Sequence, residues 1–220
     1  MASRHSHNLR PDPNRNRLED AASLAKRARN RMRKMKGECE QLWKDANEKH
    51  ELPADALAEI GEAQQNVLTA LDYVAHELRE ALEPEATNKL YFPVAEPDQS
   101  IEEFQQKVER LVPHLRDLLP RAVEEIVALQ HYGGEDFGWL STLKGLNNPT
   151  KHEGLLHTHV VQLKGKINAP GYEPKDFEFF ALNAGRVGDP RAFTERAAEA
   201  VLEFVRRMQV VMSDADEQYA

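Results

Sequence analysis

The sequence predicts a mainly α-helical bundle, with a long N-terminal antiparallel helical hairpin and a small β-hairpin before the last helix. Three observations carry that prediction. Leu18, Ala21, Ala25, Ala28, Met32, Met35, Cys39, Leu42 and Ala46 recur at steps of three and four. Leu57, Ile60, Gln64, Val67, Leu71, Val74, Leu78 and Ala81 repeat the pattern, which is the seam of a coiled coil or helical hairpin. The break between the two series, His50-Glu51-Leu52-Pro53, is short, so the helices should fold back on each other. Each helix runs to roughly 45 Å at about 1.5 Å per residue. The first seam is lined by Ala and Met, which pack closely but bury little area each, so it calls for a further covering surface.

The remaining elements follow in order. Residues 1–16, rich in Arg, Asn, His and Pro, read as a disordered basic tail, and 17–220 as a single helical domain. Within it the hairpin occupies 17–83, and short helices occupy 84–154. A β-hairpin lies in 155–185, and a C-terminal helix spans 189–213. Pro84 ends the second long helix, and 84–99 is an extended connection anchored by Leu90, Tyr91 and Phe92. Ser100 with Glu103 forms a capping box ahead of IEEFQQKVERLV. Pro113 and Pro120 punctuate two or three short helices up to Gln130, stopped by Gly133-Gly134. A helix over 135–147 follows. LLHTHVVQL (155–163) and DFEFFAL (176–182) are the strand candidates. Asp189 caps the last helix, with Pro190 in its first turn and Ala197, Val201, Phe204, Met208 and Val211 as its buried stripe.

Composition narrows the function classes. Hydrophobic residues make up 40% and charged residues 30%, and no apolar run reaches the roughly 18–20 residues that cross a bilayer. No membrane association is expected. The opening MASRHSHNLRPDPNRNR has charge but no apolar segment behind it, so no secretory signal is expected. The single cysteine, Cys39, excludes an intrachain disulfide framework and fits a reducing, cytoplasmic setting. Residues 1–36 hold eleven Lys/Arg against three acids, a balance of +8, which leaves −16 on the remainder of a chain of net charge −8. Such polarity suits an arm for an anionic partner, or for the protein's own acidic body. In AKRARNRMRKMK (25–36), Lys26, Arg29, Arg33 and Lys36 recur at helical spacing and are candidate phosphate contacts. The alternative is a charged coiled-coil surface.

Two further constellations carry chemistry. On a helical wheel Gln65, Asp72, His76 and Arg79 share one face, with Asp72 one turn before His76, so the carboxylate can orient the imidazole. The plain alternative is an interhelical polar stripe. Asn147, Asn148, Lys151 and His152 form a polar run whose Asn-Asn-Pro step naturally ends a helix. His157 and His159 lie on one strand face, as zinc ligands sometimes do, but a solvated strand is the better reading, and no metal or cofactor is expected.

GEAQQNVLTALDYVAHEL (61–78) resembles the "GDALHNLRSALDHLA" segment of a widespread group of bacterial and phage proteins. YFPVAEP resembles that group's "FPI" connection, ALQHYGG its "LQPY", and WLSTLKGLNNPTKHEGL its "LWxLHxLNNIDKHR". Order and spacing agree over roughly residues 55–156. The pattern is similar to HEPN domains, helical bundles that include metal-independent RNases, toxins and non-catalytic nucleotide-binding members. The resemblance thus implies a HEPN-like bundle. For the Arg-Asn-x-x-x-His motif of the RNases it implies Asn148 and His152 at the matching positions, His152 moving a proton at the ribose. The motif's Arg is replaced by Asn147, with Lys151 a displaced point charge. Asn66 and Asp72 match the group's own pattern, and the His and Arg beside that Asn have become Gln65 and Leu68.

Three functional expectations follow. The first is binding of RNA or a nucleotide without cleavage, in a phage–host conflict or defence setting. The second is a metal-independent endoribonuclease using His152 with Asn148, Lys151 and Asp72. The third is an interaction protein assembling through its coiled-coil arm. The lost Arg favours the first and third. Asn66 and Asp72 are expected to meet Asn147–His152 in one polar pocket, and the weak Ala/Met seam predicts a homodimer.

Overall fold

The computed structural model describes residues 16–46, 54–83, 90–96, 98–130, 138–152, 161–167, 175–181 and 190–219. Side chains are described for 16–36, 55–83, 90–96, 98–130, 138–145 and 190–215. The described chain is mainly helical. Its elements are α1 (Arg17–Ala46), α2 (Ala54–Leu82), α3 (Ile101–Leu111), α4 (Leu115–Leu118), α5 (Pro120–Ala128), α6 (Trp139–His152), β1 (Val161–Ile167), β2 (Lys175–Ala181) and α7 (Pro190–Tyr219).

Three long helices make the frame: α1 packs on both α2 and α7, and α2 also packs on α7. Asn16 starts α1 as its N-cap, its Oδ1 accepting from Leu18 N at 3.1 Å and Glu19 N at 3.2 Å. The ion pairs Arg17–Glu80 and Arg31–Glu59 rise along α1 and descend along α2, so the two helices run antiparallel. Leu18, Ala21, Ala25, Ala28, Met32 and Met35 are all buried. Over Leu18 to Met35 the covering surface that this small-residue seam needs comes from the same chain, while the side chains of Cys39, Leu42 and Ala46 lie outside the described residues. Along α7, Ala197, Val201, Phe204, Met208 and Val211 are buried, and Phe204 and Met208 supply volume that the alanines lack. The homodimer expectation therefore cannot rest on an uncovered Ala/Met seam. On α2, Ile60, Val67, Leu71, Val74 and Leu78 are buried, Leu57 is half-buried and Ala81 is exposed.

A buried polar bridge pins α2 to α7. Gln64 Nε2 donates to Thr194 Oγ1 at 3.2 Å, and Thr194 Oγ1 donates to the Pro190 carbonyl at 2.7 Å. Both side chains are closed off from solvent, so each needs that partner.

The capping box of α3 forms, with Ser100 Oγ accepting from Glu103 N and Glu103 Oε2 accepting from Ser100 N. His114 enters α4 with φ 65°, and its N–H donates to Glu109 Oε1 at 2.7 Å. Helix α5 runs against α7, tied by Arg121–Asp214 at 2.5 Å and Arg207–Glu125 at 2.7 Å. Helix α6 does not end at the Asn-Asn-Pro step but continues through Pro149 to His152. A helical Pro149 gives up one backbone hydrogen bond, that to the carbonyl of Gly145, and Asn147 and Asn148 lie within the helix rather than in a turn. Strands β1 and β2 pair antiparallel from Val161↔Ala181 to Ile167↔Lys175. The first strand thus reaches four residues beyond the 155–163 expectation, while 155–160, with His157 and His159, lie outside the described residues. The last helix runs to Tyr219, past the expected end near 213.

Candidate functional site

The extended segment 90–96 crosses the bundle between the hairpin and the short helices. Leu90, Phe92, Val94 and Ala95 are buried, while Tyr91 stands 64% exposed. A buried extended strand with no sheet partner must satisfy its backbone groups with side chains. Asp72 Oδ1 on α2 accepts from Phe92 N at 2.8 Å. Gln130, itself buried, accepts from Ala95 N through Oε1 at 2.9 Å. Its Nε2 donates to the carbonyls of Pro93 at 3.4 Å and Ile126 at 3.1 Å. Lys107 Nζ donates to the Val94 carbonyl at 2.8 Å. The Phe92 ring meets Phe204 of α7 edge-on, with centroids 5.6 Å apart. Three stretches far apart in sequence, around Asp72, Phe92-Pro93 and Gln130, thus converge. What they build is a clasp for the connection.

His76 stands one turn further along α2. Burial holds its imidazole below the ordinary histidine value; Arg17 and Arg79 add to that, while Asp72 and a hydrogen bond with the Leu90 backbone pull the other way. Burial likewise raises the Glu77 carboxyl, against the pull of Arg17. Arg17 also pairs with Glu80 at 2.6 Å. Asp72 and His76 therefore do share a face, as the wheel predicts, and both engage the Leu90–Phe92 backbone. Asn66 is half-buried on α2, six residues before Asp72, or about 9 Å along the axis. Helix α6 packs on α2, with Leu140 and Leu143 buried. The side chains of Asn147, Asn148, Lys151 and His152 lie outside the described residues, and so does the pocket expected between them and Asp72.

The basic helix resolves into two faces. At roughly 100° per residue, Lys26, Arg29, Arg33 and Lys36 centre on a direction tilted toward α7 rather than straight outward. Arg33 meets that helix: its Nε lies 2.9 Å from Glu195 Oε1 and its Nη2 pairs with Glu199. Arg29 is half-buried. The outer surface of α1 instead presents Lys26, Arg27 and Lys34; Lys36 is also exposed, on the flank it shares with Arg29 and Arg33, and none of the four has an ion-pair partner among the described residues. Arg27, Arg31 and Lys34 also recur at helical spacing, so the sequence offers two basic faces and spacing does not choose between them. Exposure, which depends on where α2 and α7 pack, picks out Arg27 and Lys34.

Glu195 is shared. Its Oε2 also pairs with Arg191 Nη1 at 2.7 Å, and Arg191, buried, donates from Nη1 to the Met32 carbonyl at 3.3 Å. Burial alone would raise the Glu195 carboxyl, but hydrogen bonds from Arg33 and Arg191 outweigh it and hold the group below its usual range.

Among the described residues no group of three or more His, Cys, Asp or Glu could hold a metal ion. No described helix is long and apolar enough to cross a membrane. Comparison with protein-family models, with curated proteins and with solved structures found no match. The class defined by the fold is a mainly α bundle in which α1 packs against α2 and α7.

Proposed function

We propose that this protein binds the phosphate backbone of RNA through the outer face of α1, without cleaving it. One observation carries the reading. On a chain of net charge −8, Lys26, Arg27, Lys34 and Lys36 stand exposed and without an ion-pair partner among the described residues, while Arg17, Arg31 and Arg33 of the same helix are paired with acids of α2 and α7. Ten residues separate Lys26 from Lys36, about 15 Å of helix, a span that suits a run of phosphates better than a single nucleotide. Nothing aromatic interleaves the strip, so binding is independent of base sequence. Binding without cleavage is favoured because Asp72 already serves the Phe92 amide and Asn147 replaces the Arg of the HEPN-type motif. The HEPN-like affinity of the fold belongs to the same proposal. So does a homodimer, which would use a surface other than the α1 seam.

The test is fluorescence anisotropy with a mixed-sequence single-stranded RNA, followed by gel analysis of that RNA. Four phosphate contacts at about 0.7 counterions each predict roughly a 50-fold loss of affinity between about 50 and 200 mM salt. Replacing Lys26, Arg27, Lys34 and Lys36 together by Gln should abolish binding while leaving the fold intact. Undiminished binding by that variant would overturn the proposal, and RNA cleavage in chelator that disappears in His152→Ala would establish the nuclease instead.

A further inference from the structure

Arg33 is held by two carboxylates, and the two are held very differently. Glu195 is 21% exposed and shared with the buried Arg191, which in turn fixes the Met32 carbonyl of α1. That carboxylate is part of the joint between α1 and α7. Glu199 is 44% exposed, and Arg33 is its one ion-pair partner among the described residues. It lies one turn further along α7, and among the described residues its grip on Arg33 is its contribution to the joint. Arg33 itself is 52% exposed and lies between the exposed Lys26 and Lys36 on the wheel, roughly 20° from the first and roughly 60° from the second at about 100° per residue. A carboxylate that can swing into solvent, on a guanidinium beside a phosphate-binding face, sits where an incoming phosphate oxygen would go. Guanidinium accepts carboxylate and phosphate in the same forked geometry.

We infer that Glu199 is an intramolecular stand-in for phosphate: it occupies Arg33 in the free protein and is displaced when RNA binds, which weakens and selects binding at this face. The inference rests on the RNA-binding reading above. Glu195 stays in place during the exchange, so α1 does not detach from α7. A ligand must bring enough negative charge to outcompete a tethered carboxylate, which favours polyphosphate chains over isolated anions.

The experiment uses the full chain and anisotropy with the same mixed-sequence single-stranded RNA. Glu199→Gln should tighten binding about two- to five-fold, the scale of one exposed ion pair. Its log–log salt slope should stay near that of the wild type, because Arg33 meets a phosphate in both complexes and the same number of counterions is released. Asp214→Asn removes the same charge from α7 and frees Arg121 some 22 Å further along the helix, and it should leave affinity near wild type. In an Arg33→Gln background the gain from Glu199→Gln should vanish. Circular dichroism melts of each variant verify the fold. Wild-type binding with no gain in Glu199→Gln overturns this inference alone. An equal gain in Asp214→Asn, or a gain that persists without Arg33, reduces it to bulk charge and also overturns it. Absence of wild-type binding at low salt removes the RNA reading on which it stands.

Discussion

Replacing Gln130 by Met probes the clasp while keeping side-chain length and flexibility. Gln130 serves three backbone groups, and the one that matters most is Ala95 N–H, because Ala95 is buried and its amide has Gln130 Oε1 at 2.9 Å as acceptor. A buried donor left without a partner costs about 1–3 kcal/mol. The Pro93 and Ile126 carbonyls lose a donor as well, at 3.4 and 3.1 Å, and their longer, less demanding bonds add about 1 kcal/mol together. The expected loss is therefore about 2–4 kcal/mol, which at about 3 kcal/mol/M lowers the urea midpoint by roughly 1 M. The loss should be local first: hydrogen exchange at the Ala95 amide should speed up by about tenfold or more, while amides in the middle of α1 keep the protection set by global unfolding. A midpoint shift under about 0.3 M with Ala95 protection unchanged would mean that the clasp is not what holds segment 90–96, and the argument from backbone satisfaction would fall.

Two other perturbations test the frame and its titration. Ala28→Leu places three extra carbons in the seam between three long helices and should cost about 1–3 kcal/mol or more through overpacking, read as a lower urea midpoint; an unchanged midpoint would mean the seam is loose. His76 has a folded pKa below its unfolded value, so the native state binds fewer protons, and the stability it contributes is full above about pH 6.5 and is lost as pH falls toward the folded value. Glu77, with its pKa raised, acts in the opposite sense at lower pH, gaining stability as the carboxyl takes its proton. His76→Gln should therefore flatten the fall of the melting temperature between about pH 7 and 5.5, and an equally steep fall would assign the slope to other groups.

The helical frame was legible because it rests on local periodicity. Leu18 to Met35 and Ile60 to Leu78 advertise one buried stripe each, and Ser100 with Glu103 advertises a helix start within four residues. What covers the first stripe was not legible. Nothing local to Ala25 or Met32 specifies Phe204 and Met208, which arrive from the far end of the chain. The same limit governs the candidate site. Asp72 and His76 were found from their spacing, but the Phe92 and Leu90 backbone they engage depends on the path of a connection that carries no periodic signal. Gln130 carries no signal of its own, because a buried glutamine is recognised only when the amides it serves are known. For the basic strip, spacing placed four cations on one face; the acids of α7 then claimed Arg33, and packing turned Arg27 and Lys34 outward.

The joint between Arg33 and Glu195 links residues 162 positions apart. A ribosome adding roughly 5–20 residues per second needs about 8–32 s to travel that distance. Once Leu82 has been added, and until α7 follows, the α1–α2 hairpin exists without α7, its Ala/Met seam half covered. The frame is completed only by its last helix, so its folding is governed by long-range closure, slow for a helical protein. During synthesis the nascent hairpin is therefore the stage at which this chain is most open to chaperones and to association with neighbouring copies.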